Sequence, residues 1–208
     1  MAILHRKFYS GDTVETARAL LGKYLVRIRD GEPLVCRITE TETYVGRMDK
    51  ACHAYGYRRT PRTETLFGPP GHAYIYLIYG MYHCLNFVTE PEGEPAAVLI
   101  RGLSPVWGEQ TIRRLRFGAI EDKRLSAYQR KNFLNGPGKV CKGLSLTKLE
   151  NGLDLTAPPL FVCDRAEDAG VPGDAHLSHR IHVSKRIGID YAEEAVDFPW
   201  RFYLEEKE

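Results

Sequence analysis

Two apolar, tyrosine-rich runs with a very short connection constrain the fold more than any other part of the sequence. Residues 73–79 and 82–89 are rich in aromatic and β-branched side chains, and only Gly80 and Met81 lie between them. Such runs favour extended strands, and a connection this short joins antiparallel neighbours. The sequence therefore predicts a β-hairpin with Tyr79 beside its tip.

The rest of the pattern predicts strands and helices that are segregated along the chain rather than alternating. Asp12 can cap a first helix that ends at Gly22, and the turn 30–33 joins the first two strands. Other strands are predicted at residues 23–29, 34–44, 96–101, 159–163, 180–184 and 200–204, and helices at residues 107–116 and 137–146. We expect a single α+β domain over residues 1–208, with a mainly antiparallel curved sheet, surrounding helices and a protruding β-hairpin.

Charge and cysteine usage exclude several classes of protein. The net charge is only +2, so any binding of nucleic acid must rest on a local basic surface. No apolar run approaches the roughly 20 residues that span a bilayer, and the first residues lack a signal-peptide pattern, which predicts a soluble cytoplasmic protein. The five cysteines include no C-x-x-C pair, which argues against a disulfide framework or a cysteine-rich zinc site.

A carboxylate continues the apolar side of the second predicted strand. Strict alternation places six residues on one face: Leu34, Cys36, Ile38, Glu40, Glu42 and Tyr44. On this interpretation Glu42 points into the protein. A bulge or a strand end would instead return Glu42 to water, and the pattern alone leaves both possibilities open.

Three more candidate residues each have two interpretations. His53 lies in a loop over residues 46–72, where a histidine can be a surface residue or part of a site. Tyr79 can pack across the hairpin or can insert between bases as a wedge. Arg101, predicted at the end of a strand, needs an acidic partner or a bound polar group if it enters the core.

Two basic segments could contact a phosphate backbone. Arg58, Arg59 and Arg62 fall within five positions of the loop and are either solvated side chains or phosphate ligands. The segment 136–139, which includes Lys139, opens a predicted helix. Its backbone N–H groups could bind a phosphate. Alternatively, its small residues could be needed only to let the chain enter the helix.

Several segments, taken in order, resemble the alkyladenine (3-methyladenine) DNA glycosylase family in its bacterial form. They are residues 19–27 (ALLGKYLVR), 38–44 (ITETETY), 60–62 (TPR), 74–82 (YIYLIYGMY), 98–101 (VLIR) and 136–139 (GPGK). The resemblance extends from about residue 6 to residue 204.

The resemblance implies a monomeric, monofunctional DNA glycosylase of base excision repair that acts at the nucleoid. It would flip damaged purines (alkylated purines, hypoxanthine, ethenoadenine) out of double-stranded DNA and hydrolyse the N-glycosidic bond without a metal or other cofactor, leaving an abasic site. The matching positions imply Glu42 as general base, Arg101 as a ligand of the nucleophilic water, Tyr44, His53 and Tyr76 as the base pocket, Asn86 as a screen against guanine, and Tyr79 as the wedge.

Water is the predicted nucleophile because no lysine accompanies these residues in the sequence. The nearest is Lys50, in a polar loop. Two other functions remain as alternatives: a non-catalytic nucleic-acid-binding module, against which the presence of Glu42 and Arg101 counts, and an enzyme acting on RNA or free nucleosides, which would have no use for a wedge.

Overall fold

The predicted hairpin forms one edge of a curved antiparallel sheet. The computed structural model describes residues 2–119, 124–173 and 180–205. The strands in these ranges are β1 (Tyr24–Arg29), β2 (Glu32–Val45), β3 (Ala73–Ile78), β4 (Tyr82–Val88), β5 (Ala96–Trp107), β6 (Thr156–Ala157), β7 (Leu160–Cys163), β8 (Ile181–Ser184) and β9 (Arg201–Leu204). The α-helices are α1 (Arg6–Tyr9), α2 (Thr13–Leu20), α3 (Glu109–Phe117), α4 (Ala127–Lys131) and α5 (Pro137–Gly143).

The long strand β2 organises the sheet. The strand order is β3-β4-β5-β2-β1-β7-β6. On the side away from β5, β2 pairs with β1 through its first half and with β9 through its second, and β9 also pairs with β8. The predicted α+β class, with one mainly antiparallel sheet and a protruding hairpin, is confirmed.

Two features at the start of the chain differ from the prediction. Helix α1 precedes α2, so the helix that Asp12 caps is the second element; the Asp12 carboxylate accepts from two amides of the first turn of α2. The β1–β2 turn is also shorter than expected. It consists of Asp30 and Gly31, both with positive φ (49° and 81°), and this geometry matches the twist of paired strands.

The two faces of the sheet pack against different partners. On one face, residues of β2, β4 and β5 form the main core with residues of α2, α3 and α5; this core includes Leu20, Ile38, Phe87, Ile100, Ile112 and Val140. On the other face, Tyr74, Val88 and Ala97 pack against residues 52–67. The loop over residues 46–72 is therefore structured, and it contains two short 3-10 helices, Tyr55–Tyr57 and Glu64–Phe67.

A paired irregularity in β2 and β5 reverses the alternation of both strands at one point. Ile38 pairs with Leu103 and Thr41 with Ile100, but between them only Glu40 and Gly102 are paired. Arg101 therefore sits in a bulge inside β5, and the prediction that a strand ends at Arg101 is wrong.

The same bulge corrects the predicted face of Glu42. The Thr41 hydroxyl donates to the Ala17 carbonyl of α2, so Thr41, rather than Glu42, continues the face of Ile38 towards the helices. Glu42 points to the opposite face but is still fully buried, with 0% exposure. The expectation that a bulge would return Glu42 to water is therefore also wrong.

The C-terminal half follows the predicted pattern with small changes of boundary. Strands β7, β8 and β9 lie where they were expected, whereas α5 ends at Gly143 rather than near residue 146. The sequence analysis missed α4, which Ser126 and Gln129 cap reciprocally. All five cysteines are free and buried, and none of the helices in the described ranges has the length and apolarity needed to cross a membrane.

Candidate active site

One row of residues crosses five strands on the face opposite the main core. In the strand register Tyr74 is opposite Asn86, Asn86 opposite Leu99, Leu99 opposite Glu42, and Glu42 opposite Arg201. Residues directly opposite each other in antiparallel strands project to the same side. The pairing of β3, β4, β5, β2 and β9 thus brings together polar groups that are far apart in sequence.

This row lies along a cavity of about 740 Å³, a volume typical of ligand-binding pockets. Eight of the residues singled out in the sequence line it: Tyr44, His53, Arg62, Tyr76, Tyr79, Asn86, Arg101 and Lys139. Arg58 and Arg59 are exposed and do not line the cavity, and Arg59 pairs with Glu64.

Glu42 lies just beneath the cavity surface and is reached through three groups that do line the cavity. Its Oε2 accepts from the Tyr44 hydroxyl at 2.8 Å and lies 3.5 Å from Arg101 Nη1. Its Oε1 accepts from the backbone amide of Ile187 at 2.9 Å. The carboxylate is thus held by a hydroxyl, an amide and a cation.

Burial raises the pKa of Glu42 above its ordinary value, and the nearby donors only partly oppose this. The Arg101 guanidinium is the strongest of the opposing groups, followed by the Ile187 amide and the Tyr44 hydroxyl. The Arg101 charge thus lowers the pKa of Glu42, but the effect of burial is larger.

Arg101 belongs to a network of two arginines and two glutamates. Its Nε donates to Glu40 Oε1 at 3.1 Å, and Arg201 Nε donates to the same oxygen at 2.6 Å. Two cations thus balance the carboxylates of Glu40 and Glu42, as buried charges require. The sequence analysis assigned no role to Glu40 or Arg201.

Aromatic rings form one wall of the cavity. His53 meets Tyr76 edge-on with ring centroids 4.5 Å apart, and Tyr74 lies 5.4 Å from Tyr76. The His53 Nδ1 is 3.0 Å from the Tyr74 hydroxyl. Burial, together with the Arg62 guanidinium, lowers the pKa of His53 to about 4, so His53 is neutral at neutral pH.

The hairpin tip presents Tyr79 to solvent at the edge of the cavity. Tyr79 is 78% exposed and, like Gly80, has a positive φ (52° and 68°). Tyr79 therefore does not pack across the hairpin, in contrast to Tyr74 and Tyr76, which lie inside. Of the two interpretations left open, packing across the hairpin is excluded by this exposure, and the wedge stays a prediction.

Two lysines line the cavity, although from the sequence Lys139 was expected only as a phosphate contact and Lys142 was not predicted as a site residue. Lys139 and Lys142 come from α5, whereas Lys50 is held by Glu193 and Glu194. Lys139 Nζ donates to Asn135 Oδ1 at 2.8 Å, and burial followed by the Arg116 charge lowers its pKa. Lys50 is therefore not the lysine to consider as a nucleophile.

A fully buried ion pair behind Tyr44 was also missed. Arg186 and Asp49 are both 0% exposed, and the Arg186 guanidinium lies 4.8 Å from the Tyr44 ring centroid. Sequence patterns could not find this pair, because arginine and aspartate are ordinarily surface residues and the two are distant in the chain. Across the described ranges, no group of three or more His, Cys, Asp or Glu side chains is arranged to hold a metal ion.

Comparisons with known proteins agree with the resemblance noted above. The profile of the methylpurine-DNA glycosylase (MPG) family matches residues 7–208. Curated relatives named provisionally as 3-methyladenine DNA glycosylases include one from Alkaliphilus oremlandii, 48% identical over 204 residues, which covers 98% of this chain and 96% of the relative. Others are from Bacillus cytotoxicus (50% identical; 95% and 94% covered) and Bacillus cereus strain ATCC 14579 (50% identical; 95% and 93% covered).

Proposed function

The chain belongs to the methylpurine-DNA glycosylase family, and we propose that it excises damaged purines from duplex DNA by base flipping and attack of an activated water. The observation that carries this proposal is a buried carboxylate, Glu42, beneath an aromatic-lined cavity whose edge bears an exposed tyrosine. Alkylated purines, hypoxanthine and ethenoadenine are the proposed bases.

Extrusion of the base is the first step. Taking a nucleotide out of the stack costs a few kcal/mol. Tyr79, exposed at the tip of a two-stranded hairpin, can enter the stack and occupy the vacated space. The hairpin supports this role because β3 and β4 hold Tyr79 next to the cavity that receives the base.

Binding of the extruded base then uses the aromatic walls. Tyr44, His53 and Tyr76 can stack on a purine, which contributes on the order of 1–3 kcal/mol per base. Electron-rich rings also favour a cationic alkylated purine, and a neutral His53 adds no opposing charge. Asn86, at 3% exposure on the cavity floor, would screen the edge that distinguishes guanine.

In the chemical step, a water oxygen forms a bond to C1′ of the sugar while the bond from C1′ to the purine nitrogen breaks. The electron pair of that bond leaves with the purine, and the Glu42 carboxylate takes the water's proton. The negative charge of Glu42 also stabilises positive charge that develops on the sugar. Arg101 would help to hold the water.

Access of water to Glu42 must come through one of the three groups that cover it. Arg101 makes the longest of these contacts, at 3.5 Å, and it also has a second partner in Glu40. We therefore place the water between Arg101 Nη1 and Glu42 Oε2, where it can contact both. The Tyr44 and Ile187 contacts would stay closed during the reaction.

Contacts to the DNA backbone complete the proposal. Arg58 is exposed beside the cavity-lining part of its loop and suits a phosphate contact, whereas Arg59, also exposed, would first have to leave Glu64. Arg62 instead lies 5.2 Å over the Tyr76 ring, and Lys139 is bound to Asn135, so both would need to move to reach a phosphate. We propose that a monomer forms this interface.

Base release from defined duplexes tests the function. With enzyme in excess over a duplex that carries one lesion, we expect wild-type protein to release the free purine and to leave an abasic strand. Glu42→Gln should bind the lesion duplex while losing at least about 1,000-fold in rate, within the range removed with an acid–base group.

Two outcomes would contradict the proposal. Lesion binding without base release by the wild-type protein would favour the non-catalytic binding module. Equal rates on a free nucleoside and on a duplex would show that extrusion has no part in the reaction.

A further inference from the structure

The segment after β8 is bound to the loop after β2 through the buried pair Arg186–Asp49. The two guanidinium nitrogens lie 2.5 and 2.8 Å from the two carboxylate oxygens of Asp49. The same nitrogens also donate to the carbonyls of Thr43, at 2.7 Å, and Ala195, at 3.1 Å. One side chain thus ties together β2, the loop after it and the C-terminal segment.

This pair lies directly behind two groups that hold Glu42. Ile187, the residue after Arg186, donates its amide to Glu42 Oε1. The Arg186 guanidinium also packs against Tyr44, whose hydroxyl donates to Glu42 Oε2. Both neutral hydrogen-bond donors of Glu42 therefore adjoin Arg186, one along the chain and the other through a ring contact.

We propose that Arg186 and Asp49 are positioning residues that fix the orientation of Glu42 and its hydrogen bonds through the Ile187 amide and Tyr44. The inference rests on the proposed role of Glu42 as general base. A buried ion pair is seldom the most stable way to join two segments, because both charges lose their hydration. A bidentate arginine does, however, fix direction better than apolar packing, since its planar fork matches a carboxylate.

The expected direction of the effect follows from the groups that face Glu42. Arg101, Glu40 and Arg186 supply the nearby charges, with Arg201 bound to Glu40 and Asp49 bound to Arg186, while Tyr44 and the Ile187 amide supply hydrogen bonds. A change at Arg186 that keeps its positive charge but loosens the Ile187 amide removes a donor that favours the carboxylate and leaves the charges in place. The pKa of Glu42 then rises, and base release fails at a higher pH than in the wild type.

The test compares pH profiles of single-turnover base release for the wild type and Arg186→Lys, which keeps the positive charge but not the planar fork that binds Asp49. In this variant we expect the acid limb to move to higher pH by about one unit, with a loss of about tenfold in rate below the inflection and a smaller loss above it. Arg27→Lys is the matched control, because Arg27 also forms a mostly buried ion pair, with Glu150, and does not line the cavity. Its profile should equal that of the wild type.

A second modification tests the link when Arg186 is intact. Replacing the Ile187 amide by an ester exchanges the N–H donor for an oxygen that repels the carboxylate, leaves the Arg186 side chain unchanged, and should reproduce the shift of the acid limb. Rates are measured at saturating enzyme, and the thermal melting of each variant is measured alongside. A variant that is only less stable keeps the pH at which its rate profile inflects.

An unmoved inflection in the ester variant, or in folded Arg186→Lys, would overturn the proposal and leave the pair as a structural anchor. Failure of the proposed function looks different, since Glu42→Gln would then release base at the wild-type rate.

Discussion

Arg101 is the most distant of the three groups that contact Glu42, with 3.5 Å between Arg101 Nη1 and Glu42 Oε2. The guanidinium nevertheless lowers the pKa of Glu42 more than either hydrogen bond does, while burial raises it more strongly still. Because the pKa is raised overall, the carboxylate that the proposed reaction needs is lost as pH falls through a value above 4.5.

The pH dependence of hypoxanthine release checks this balance. We expect an acid limb with its inflection above pH 4.5, below which the rate falls about tenfold per pH unit. Arg101→Met should move the inflection higher and lower the plateau, because the variant loses both a charge and a ligand of the water. A wild-type rate that stays constant down to pH 4.5 would contradict the assignment of Glu42.

Asn86→Ser should relax discrimination against guanine-type bases. The Asn86 Nδ2 donates to the carbonyls of Tyr74, at 3.1 Å, and Cys84, at 3.4 Å, so the amide cannot easily swing away from an exocyclic amine. We expect the ratio of 7-methylguanine to hypoxanthine excision to rise on the order of tenfold, equivalent to ~1.4 kcal/mol. Asn151→Ser, outside the cavity, is the control; an unchanged ratio in Asn86→Ser would reject the screening role.

Tyr79→Ala should impair extrusion more than chemistry. The lost stacking is worth on the order of 1–3 kcal/mol, so we expect base release to slow about tenfold or more for a lesion in a stable pair. A mismatched or bulged lesion should lose less, because it costs less to extrude. Tyr128→Ala removes a similarly exposed tyrosine outside the cavity and should change neither rate. Equal losses on stable and unstable pairs would assign Tyr79 a structural role.

Borohydride should trap no covalent protein–DNA adduct on a lesion duplex. Lys139 and Lys142 line the cavity, but Lys139 Nζ already donates to Asn132 and Asn135, and in the proposed reaction the nucleophile is the water that Glu42 activates. A bifunctional glycosylase in parallel shows that trapping works. If a covalent band appeared and was lost in Lys139→Gln or Lys142→Gln, water could no longer be the only nucleophile.

Local patterns in the sequence were enough to predict most of the architecture. The hairpin of β3 and β4, the Asp12 cap and the last three strands each depend on residues close together in the chain. The resemblance to a glycosylase family supplied seven candidate site residues, of which six line one cavity and the seventh, Glu42, lies just beneath it.

The features that could not be predicted from the sequence depend on contacts between distant segments of the chain. The alternation of β2 predicted Glu42 on the helix side, because nothing local marks the bulge that the register with β5 creates. The Arg186–Asp49 pair and the position of Lys139 in the cavity likewise depend on how remote segments meet. The net rise in the pKa of Glu42 depends on its burial, which is a property of the folded chain alone.

The bulge shared by β2 and β5 also bears on how such a chain can change its length. Between the pairs Ile38–Leu103 and Thr41–Ile100, each strand carries two residues where regular alternation has one. Losing one residue from each strand at once would therefore restore a regular ladder and leave Glu42 and Leu99 on their present side. Losing one residue from β2 alone would leave two residues of β5 opposite one, so a change of length in one strand leaves an uneven bulge in the other.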